Sequence, residues 1–274
     1  MVFTLRNYQR DAVRATIEHF RKSDDSAVIV LPTGAGKSLV IAELARLAKR
    51  KILVLAHVKE LVEQNHEKYE SYGLKASIYS AGLKQKNTDQ QVTFASIQSV
   101  SRNLDAFSET YSLVIIDECH RVSGAVDEVQ GEGCSEENES QYLQLIRKLK
   151  AHNSGLKVLG LTATPYRMGV GWIYQYHYHG FTRAEDARPF TSCIYELPLK
   201  YMIRHDYLTP PKVIDATIAH YDFSSLNART SGHYNEREVN DLLTRYPRVT
   251  EGIIEQIKTL ANGKPKRQGV MIFA

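Results

Sequence analysis

A short glycine-containing stretch, LPTGAGKS, begins at Leu31 and carries residue types that can hold a phosphate chain. Gly34 and Gly36 precede Lys37, so backbone N–H groups and the start of a following helix can face phosphate oxygens. Lys37 can reach the outer phosphates, and the Ser38 hydroxyl is a ligand that Mg²⁺ accepts. The general phosphate-loop pattern has glycine in place of Leu31, so this match is partial. The alternative, an ordinary glycine-rich turn between a strand and a helix, is less favoured.

A second group of reactive side chains ends the stretch LVIIDECH, in which Asp117 and Glu118 follow an apolar run. Ligands bind at the carboxyl ends of parallel strands, so these carboxylates are expected beside the phosphate loop. Asp117 can complete a Mg²⁺ site, Glu118 can orient or deprotonate an attacking water, and His120 can relay the state of the phosphate. Alone, such an acidic pair would more often cap a helix. Together with the phosphate loop, catalysis is the favoured interpretation.

The elements that must position these groups are short and apolar. Five runs of strand length are rich in Val, Ile and Leu: AVIVL (27–31), KILVLA (51–56), VTFA (92–95), LVIID (113–117) and KVLGLT (157–162). Strands covered on both faces have this composition. Helical spacing follows the first two runs, so the pattern predicts an α/β fold with a mainly parallel sheet flanked by helices.

Composition sets broader limits. The chain has 274 residues, 43% of them hydrophobic and 24% charged, which is typical of a globular protein and excludes a disordered or fibrous one. A net charge of +4 is compatible with a polyanionic partner without requiring one. The first ten residues do not resemble a signal peptide, and no run of about 18 apolar residues occurs, so a cytoplasmic location is predicted. The acidic segment at 127–139 is predicted to be a mobile surface insert.

Five motifs occur in a fixed order along the chain: LRNYQ, LPTGAGKS, VLAHVKELVEQ, DECH and LTATPYR. In this order they resemble the motifs of superfamily 2 helicases and translocases. Within that superfamily, GWIYQYHYHG and CIYELPLKYMI are similar to bacterial RadD-type proteins, which are DNA repair helicases. The resemblance implies a RecA-like ATP-binding lobe. It also accounts for Leu31, because this superfamily commonly lacks the first glycine.

The resemblance implies ATP and Mg²⁺ as cofactors and assigns a role to each matching residue. The residues that would bind the nucleotide are Arg6, Gln9, Pro32, Thr33, Gly34, Ala35, Gly36, Lys37 and Ser38, with Arg6 and Gln9 at the adenine. The catalytic residues would be Lys37, Asp117, Glu118 and His120, and the metal ligands Ser38 and Asp117. The residues that would contact nucleic acid are His57, Lys59, Ser96 and Gln98. The residues that would couple the two sites are Thr162, Thr164 and Arg167.

Several of these positions have a simpler alternative. LRNYQ could be a surface turn that leads into a helix, and a lone Lys59 is usually a solvated charge. Ser96 could cap a helix. Thr162 and Thr164 could serve only β-branched strand packing.

The resemblance also predicts the domain organisation. Residues 1–262 would form the RecA-like lobe, 263–268 an inter-lobe linker, and 269–274 the first strand of a second RecA-like lobe that this chain lacks. The missing lobe would normally supply arginine fingers, whose loss costs ~10³–10⁵ in rate in other phosphate-loop enzymes. The chain alone is therefore expected to be nearly inactive.

The stretch WIYQYHYH alternates aromatic side chains from Trp172 to Tyr178. A half-buried aromatic strand face is favoured over a surface that stacks nucleobases. His177 and His179 with Cys193 could suggest zinc, but the paired spacing of a structural zinc site is absent, so no metal ligands are predicted there. Cys119 is interpreted as an ordinary small residue, because a reactive thiolate needs basic neighbours.

The favoured function is the ATP-binding lobe of a DNA-dependent ATPase motor, a helicase or translocase that moves on or remodels DNA, with DNA repair as its setting. Single-stranded or branched DNA is the predicted partner, and RNA remains an alternative. Two other functions stay open: a non-catalytic nucleotide-dependent nucleic-acid-binding module, and the motor part of a restriction enzyme.

Overall fold

The computed structural model describes residues 4–127, 140–211, 221–226, 234–263 and 269. Most of the acidic segment, the predicted linker and the predicted last strand therefore lie outside the described residues. The chain divides into two compact units, Met1–Thr209 and Pro210–Ala274. The lobe of residues 1–262 that the resemblance implies spans parts of both units, and its boundaries stay a prediction.

The first unit alternates strands with helices. Its strands are β1 (Ala27–Val30), β2 (Ile52–Ala56), β3 (Ser77–Ser80), β4 (Gln85–Lys86), β5 (Val92–Ser96), β6 (Leu113–Asp117), β7 (Lys157–Thr162), β8 (Tyr166–Arg167), β9 (Gly171–Trp172), β10 (Tyr174–His177) and β11 (Phe190–Glu196). Its helices are α1 (Asn7–Lys22), α2 (Lys37–Leu47), α3 (Lys59–Glu70), α4 (Ile97–Ser101), α5 (Gln141–His152) and α6 (Leu199–Arg204).

Within the described residues, nine strands form one sheet in the order β10-β11-β1-β7-β6-β2-β5-β3-β4. Neighbours pair in parallel throughout except β4, which is antiparallel to β3. The predicted α/β fold with a mainly parallel sheet is confirmed. All five strands predicted from apolar runs are present, and they are contiguous at the centre of the sheet. The edge strand β10 lies within WIYQYHYH, where a strand was predicted. Strands β3 and β11 were not predicted, because polar residues interrupt them, as in SIYS and FTSCIYE.

Both faces of the sheet are covered, which explains why the central strands are apolar throughout. Ile29 and Val54 pack into one core with residues of α1, α2 and α3. Val28 and Leu53 point the other way, into a second core with residues of α4 and α5. Successive side chains of a strand face opposite sides, so a strand between two helical layers needs apolar residues at every position.

The stretch WIYQYHYH departs from its prediction. Tyr174 is fully buried while Tyr176 is 51% exposed, so the aromatic side chains do not share one half-buried face. Both tyrosines lie on the edge strand β10, where Tyr174 pairs with the buried Phe190 and Tyr176 pairs with Ser192. The stretch is also not one continuous strand. Trp172 belongs to β9, which pairs with β8 in a separate two-stranded sheet, and the adjacent residues Ile173 and Tyr174 are both buried.

The second unit contains α7 (Glu236–Arg245) and α8 (Pro247–Asn262) among its described residues. The apolar side chains of Ile253, Ile254 and Leu260 on α8 are exposed. Among the described helices, none is both long enough and apolar enough to cross a membrane.

Candidate nucleotide site

The glycine loop follows β1 and turns sharply into α2. Leu31 N–H donates to the Thr162 carbonyl at 2.9 Å, which ties the start of the loop to the end of β7. Gly34 and Gly36 have φ values of 82° and 78°, in the left-handed region that glycine adopts without strain. Gly36 is also the N-cap of α2, so Lys37 and Ser38 lie in its first turn. The first N–H groups of a helix have no partner within that helix, so those at the start of α2 can donate to an anion.

Gln9 supports the glycine loop through a side-chain hydrogen bond. Its Nε2 donates to the Ala35 carbonyl at 2.8 Å, and the Tyr8 hydroxyl donates to the same oxygen at 3.1 Å. Its Oε1 accepts from the Arg6 backbone N–H at 2.9 Å. A Cβ added at Gly36 would lie 2.6 Å from Gln9 Nε2, so this glycine is required for space as well as for its φ angle. The predicted surface-turn alternative is therefore wrong for Gln9, and its contact with adenine stays a prediction.

The acidic pair lies beside the loop, as the sequence predicted. Asp117 is the last residue of β6, and Glu118 follows with a φ of 51°, an uncommon conformation for a residue other than glycine. Such backbone strain concentrates at functional sites. Glu118 Oε1 lies 3.2 Å from Lys37 Nζ, with 22% and 12% of the two side chains exposed. Residues 81 positions apart therefore form one ion pair at the carboxyl edge of the sheet.

Asp117 is buried and depends on Asn65, which sequence reasoning did not assign to the site. Asn65 Nδ2 donates to Asp117 Oδ2 at 3.0 Å, and the Glu118 backbone N–H donates to Asp117 Oδ1 at 3.0 Å. Burial nevertheless raises the pKa of Asp117 above its ordinary value, because desolvation outweighs these hydrogen bonds. A signal was present in the sequence: Asn65 is a polar residue within the apolar stripe of α3.

The residues at this edge fit the donor set of a hard divalent cation. Ser38 and Asp117 are both buried and offer a hydroxyl and a carboxylate, which are the oxygen ligands that Mg²⁺ takes. A bound cation would also offset the desolvation of the Asp117 carboxylate. The two predicted metal ligands thus have the chemistry that the ion requires.

His120 joins the acidic pair to the end of β7. Its Nδ1 lies 3.0 Å from Thr162 Oγ1 and 3.3 Å from Thr164 Oγ1, and 3.4 Å from Glu118 Oε2. Burial is the main cause that lowers the pKa of His120, and the nearby Glu118 carboxylate opposes it. Thr164 is exposed, and its hydroxyl contacts His120, so strand packing alone does not account for it. Arg167 donates to the Val122 carbonyl at 3.2 Å, next to this group.

The four predicted nucleic-acid residues lie at the ends of two neighbouring strands: His57 and Lys59 follow β2, Ser96 is the last residue of β5, and Gln98 follows it. Lys59 is exposed, and Gln98 Nε2 donates to the His57 carbonyl at 2.8 Å. Burial, followed by the nearby Arg121, lowers the pKa of His57.

Ser96 is the least accessible of these four residues. It is buried, and its hydroxyl donates to Ser99 Oγ at 2.8 Å. Ser96 is the N-cap residue of α4, although its hydroxyl makes no capping hydrogen bond there. Its contact with nucleic acid stays a prediction.

A second group of titratable side chains lies at the same edge, on β10 and β11. His177 Nε2, Cys193 Sγ and a Glu196 carboxylate oxygen are within 4.8 Å of one another. A bulge makes this possible, because Cys193 pairs with Val28 while Tyr195 already pairs with Ile29. The extra residue turns Cys193 and Glu196 to the same face of the sheet.

The hydrogen bonds of this group argue against a metal. His179 N–H donates to His177 Nδ1 at 3.2 Å, so the ring proton resides on Nε2 and is donated to Glu196 Oε2 at 2.9 Å. The nitrogen that would face an ion therefore already carries a proton.

A family model described as "Type III restriction enzyme, res subunit" matches residues 2–167, more than half of the chain. The chain belongs to this family. The membership confirms the resemblance to superfamily 2 helicases and translocases and identifies a helicase-like motor domain. The matched residues include the glycine loop and the acidic pair, but not β11 or α6.

Relatives from several organisms are similar to parts of the chain. The "Type I restriction enzyme EcoKI endonuclease subunit" of Escherichia coli K12 is 29% identical over 179 residues, covering 59% of this chain and 15% of that protein. The "DNA 3'-5' translocase XPB2" of Sulfurisphaera tokodaii is 28% identical over 119 residues, covering 43% of this chain and 25% of that protein. The UvsW helicase of bacteriophage T4 has 22% identity and a TM-score of 0.43, covering 60% of this chain and 54% of that chain. This chain thus matches only a minor part of both curated relatives.

Proposed function

We propose that this chain binds Mg-ATP at the glycine loop and forms the ATP-binding lobe of a DNA-dependent ATPase motor. The observation that carries the proposal is the Lys37–Glu118 pair, 3.2 Å apart, between a loop built for anions and a strained acidic turn. Because the Lys37 ammonium pairs with the Glu118 carboxylate, a phosphate chain that takes over Lys37 would release Glu118. The nucleotide would thereby free its own general base.

Each residue then has a defined role. The amides of Gly34 to Ser38 and the Lys37 ammonium would bind the phosphates, and Ser38 and Asp117 would hold Mg²⁺. The bound ion would neutralise charge that develops on the transferred phosphoryl group. Glu118 would accept a proton from the attacking water, held in place by the backbone turn between Asp117 and His120.

The contacts of His120 support a link between the ATP site and the residues that would contact DNA. His120 contacts Glu118 on one side and the threonine hydroxyls on the other, so a change at Glu118 reaches the end of β7. His57, Lys59 and Gln98 would lie along the DNA backbone, with Lys59 at a phosphate. A second RecA-like lobe would supply the cation for the leaving phosphate.

The biological setting has two candidates. The motor of a restriction enzyme is favoured by the family match and by relatives that are endonuclease subunits of Type I restriction enzymes. DNA repair rests only on the resemblance to RadD-type proteins. A nuclease domain in the full-length protein would decide for restriction. Either setting implies a cytoplasmic protein, which fits two buried free thiols, Cys119 and Cys193.

The binding step can be tested on this chain alone. Lys37→Ala should weaken Mg-ATP binding by about 10- to 100-fold, the value of a charge-assisted contact, as measured by calorimetry. Lys22→Ala, which removes an exposed lysine at the end of α1, is the matched control and should bind normally. Equal affinity of the Lys37 variant and the native chain would refute the proposed site. DNA-stimulated phosphate release by the full-length protein separates a motor from a non-catalytic binding module.

A further inference from the structure

The middle of α3 carries a polar side chain on its buried face. Asn65 is fully buried, and the residues one turn before and after it, Val62 and Tyr69, belong to the apolar core beneath the helix. A buried amide costs free energy unless its polar atoms have partners, and an apolar side chain at this position would avoid that cost. Packing alone therefore does not account for an asparagine here.

Only one of the two polar atoms of the Asn65 amide has a protein partner. Asn65 Nδ2 donates to Asp117 Oδ2 at 3.0 Å. Because an ionised carboxylate only accepts hydrogen bonds, the amide must turn its amino group to Asp117 and its carbonyl oxygen elsewhere. That oxygen, Oδ1, is buried, and no group in the described part of the chain donates to it. Binding of a water or an ion is an ordinary explanation for such an acceptor.

The Asp117 carboxylate, beside this amide, calls for a cation. It is buried, and its two oxygens accept hydrogen bonds from Asn65 Nδ2 and from the Glu118 backbone N–H. The Lys37 ammonium forms its ion pair with the Glu118 side chain. A buried carboxylate is stabilised by a cation, and Mg²⁺ usually keeps several of its waters when a protein carboxylate binds it. A hydrated Mg²⁺ would therefore supply a charge for Asp117 and a donor for Asn65 Oδ1.

We propose that Asn65 is a positioning residue for the metal of the nucleotide site. Its Nδ2 holds the Asp117 carboxylate in place, and its Oδ1 accepts a hydrogen bond from a water of the bound Mg²⁺. The inference rests on the proposed function, because it concerns the same site. Loss of a residue that orients a metal ligand typically lowers metal affinity by about 10- to 100-fold. Asn65 should therefore matter for ATP binding only when the metal is present.

Calorimetric measurement of ATP affinity in Mg²⁺ and in EDTA tests this role. Asn65→Ala should lower the ratio of the two affinities by about 10-fold or more, while the affinity in EDTA stays native, because Lys37 and the loop amides are unchanged. Asn65→Leu should behave in the same way, although it nearly preserves the side-chain volume. Thr16→Val is the matched control, since it removes a buried hydroxyl that donates to the Ala12 carbonyl at 3.0 Å on α1. It should keep the native ratio.

The outcomes separate the two proposals. If the native chain binds ATP neither in Mg²⁺ nor in EDTA, the proposed function fails, and the role of Asn65 with it. If the native chain binds ATP more tightly in Mg²⁺ and both Asn65 variants keep the native ratio, only the role of Asn65 is refuted. Equal weakening in Mg²⁺ and in EDTA would also refute it, since that pattern indicates a distorted loop and a purely structural residue.

Discussion

Two groups of titratable side chains lie at the carboxyl edge of one sheet, and they differ in how their polar atoms are satisfied. At β1 and β6, Lys37 and Glu118 form an ion pair beside a loop whose glycines turn backbone amides outward. At β10 and β11, His177 donates to Glu196 and its own second nitrogen accepts from His179, with 3% of the His177 side chain exposed. In the first group, the Lys37 ammonium and the backbone amides of the loop can still bind an anion. In the second group, both nitrogens of the His177 ring already make hydrogen bonds. Reactive residue types at a strand end therefore do not suffice to make a site.

The largest effect expected from this contrast is on hydrolysis. Glu118→Gln keeps the shape of the side chain but removes the base, so phosphate release by the full-length protein with DNA should fall about 10²- to 10⁴-fold. Glu196→Gln, the same change at the other group, should leave the rate close to native. A Glu118→Gln enzyme as fast as the native one would mean that another residue activates the water.

The second group is expected to act on stability and not on nucleotide binding. His177→Ala removes a buried hydrogen-bonded ring, so the free energy of unfolding should fall by about 2 kcal/mol in urea titrations. ATP affinity at temperatures where the variant is folded should stay within about twofold of native, whereas Lys37→Ala shows the opposite pattern. Loss of ATP affinity in His177→Ala equal to that in Lys37→Ala would abolish the distinction between the two groups.

A smaller effect, on the free energy of unfolding, is expected at Asp117, next to Glu118 in the first group. Asp117 is buried with a raised pKa, so its protonated form favours folding, and this contribution is lost as pH rises from about 4 through the folded pKa. Asp117→Asn should therefore stabilise the metal-free chain at neutral pH by about 1 kcal/mol, with little gain near pH 4. The new amide can donate to Asn65 Oδ1, to which no group in the described part of the chain donates. Denaturant titrations with EDTA at several pH values measure the effect.

The control for this variant is Asp24→Asn, which neutralises an exposed carboxylate paired with Lys157. It should show no comparable gain at any pH. Equal stability of Asp117→Asn and the native chain across the pH range would mean that the carboxylate carries no desolvation cost. The Asp117 variant should also lose Mg²⁺-dependent hydrolysis in the full-length protein, because a neutral amide is a poor substitute for a carboxylate ligand.

Much of the nucleotide site could be predicted because its features are local in sequence. The two glycines, Lys37 and Ser38 need only a strand before them and a helix after them, and both are encoded within a few residues. Burial on both faces likewise fixed the five central strands through their composition alone. The prediction failed where burial depended on neighbouring elements, as at Tyr174 and Tyr176, which lie on one edge strand but differ in exposure.

The sequence by itself determined the fold class, the phosphate loop and the acidic turn, since each depends on backbone preferences and apolar spacing within a short window. Only the tertiary structure decided which distant residues support them. Asn65 meets Asp117 across 52 residues, and Tyr207 reaches Arg6 from the opposite end of the unit. The strand order and the turn at Asp206, directly before Tyr207, create these contacts. They leave little trace in local sequence, because a polar or aromatic residue has the same appearance there whether its partner is water or a distant side chain.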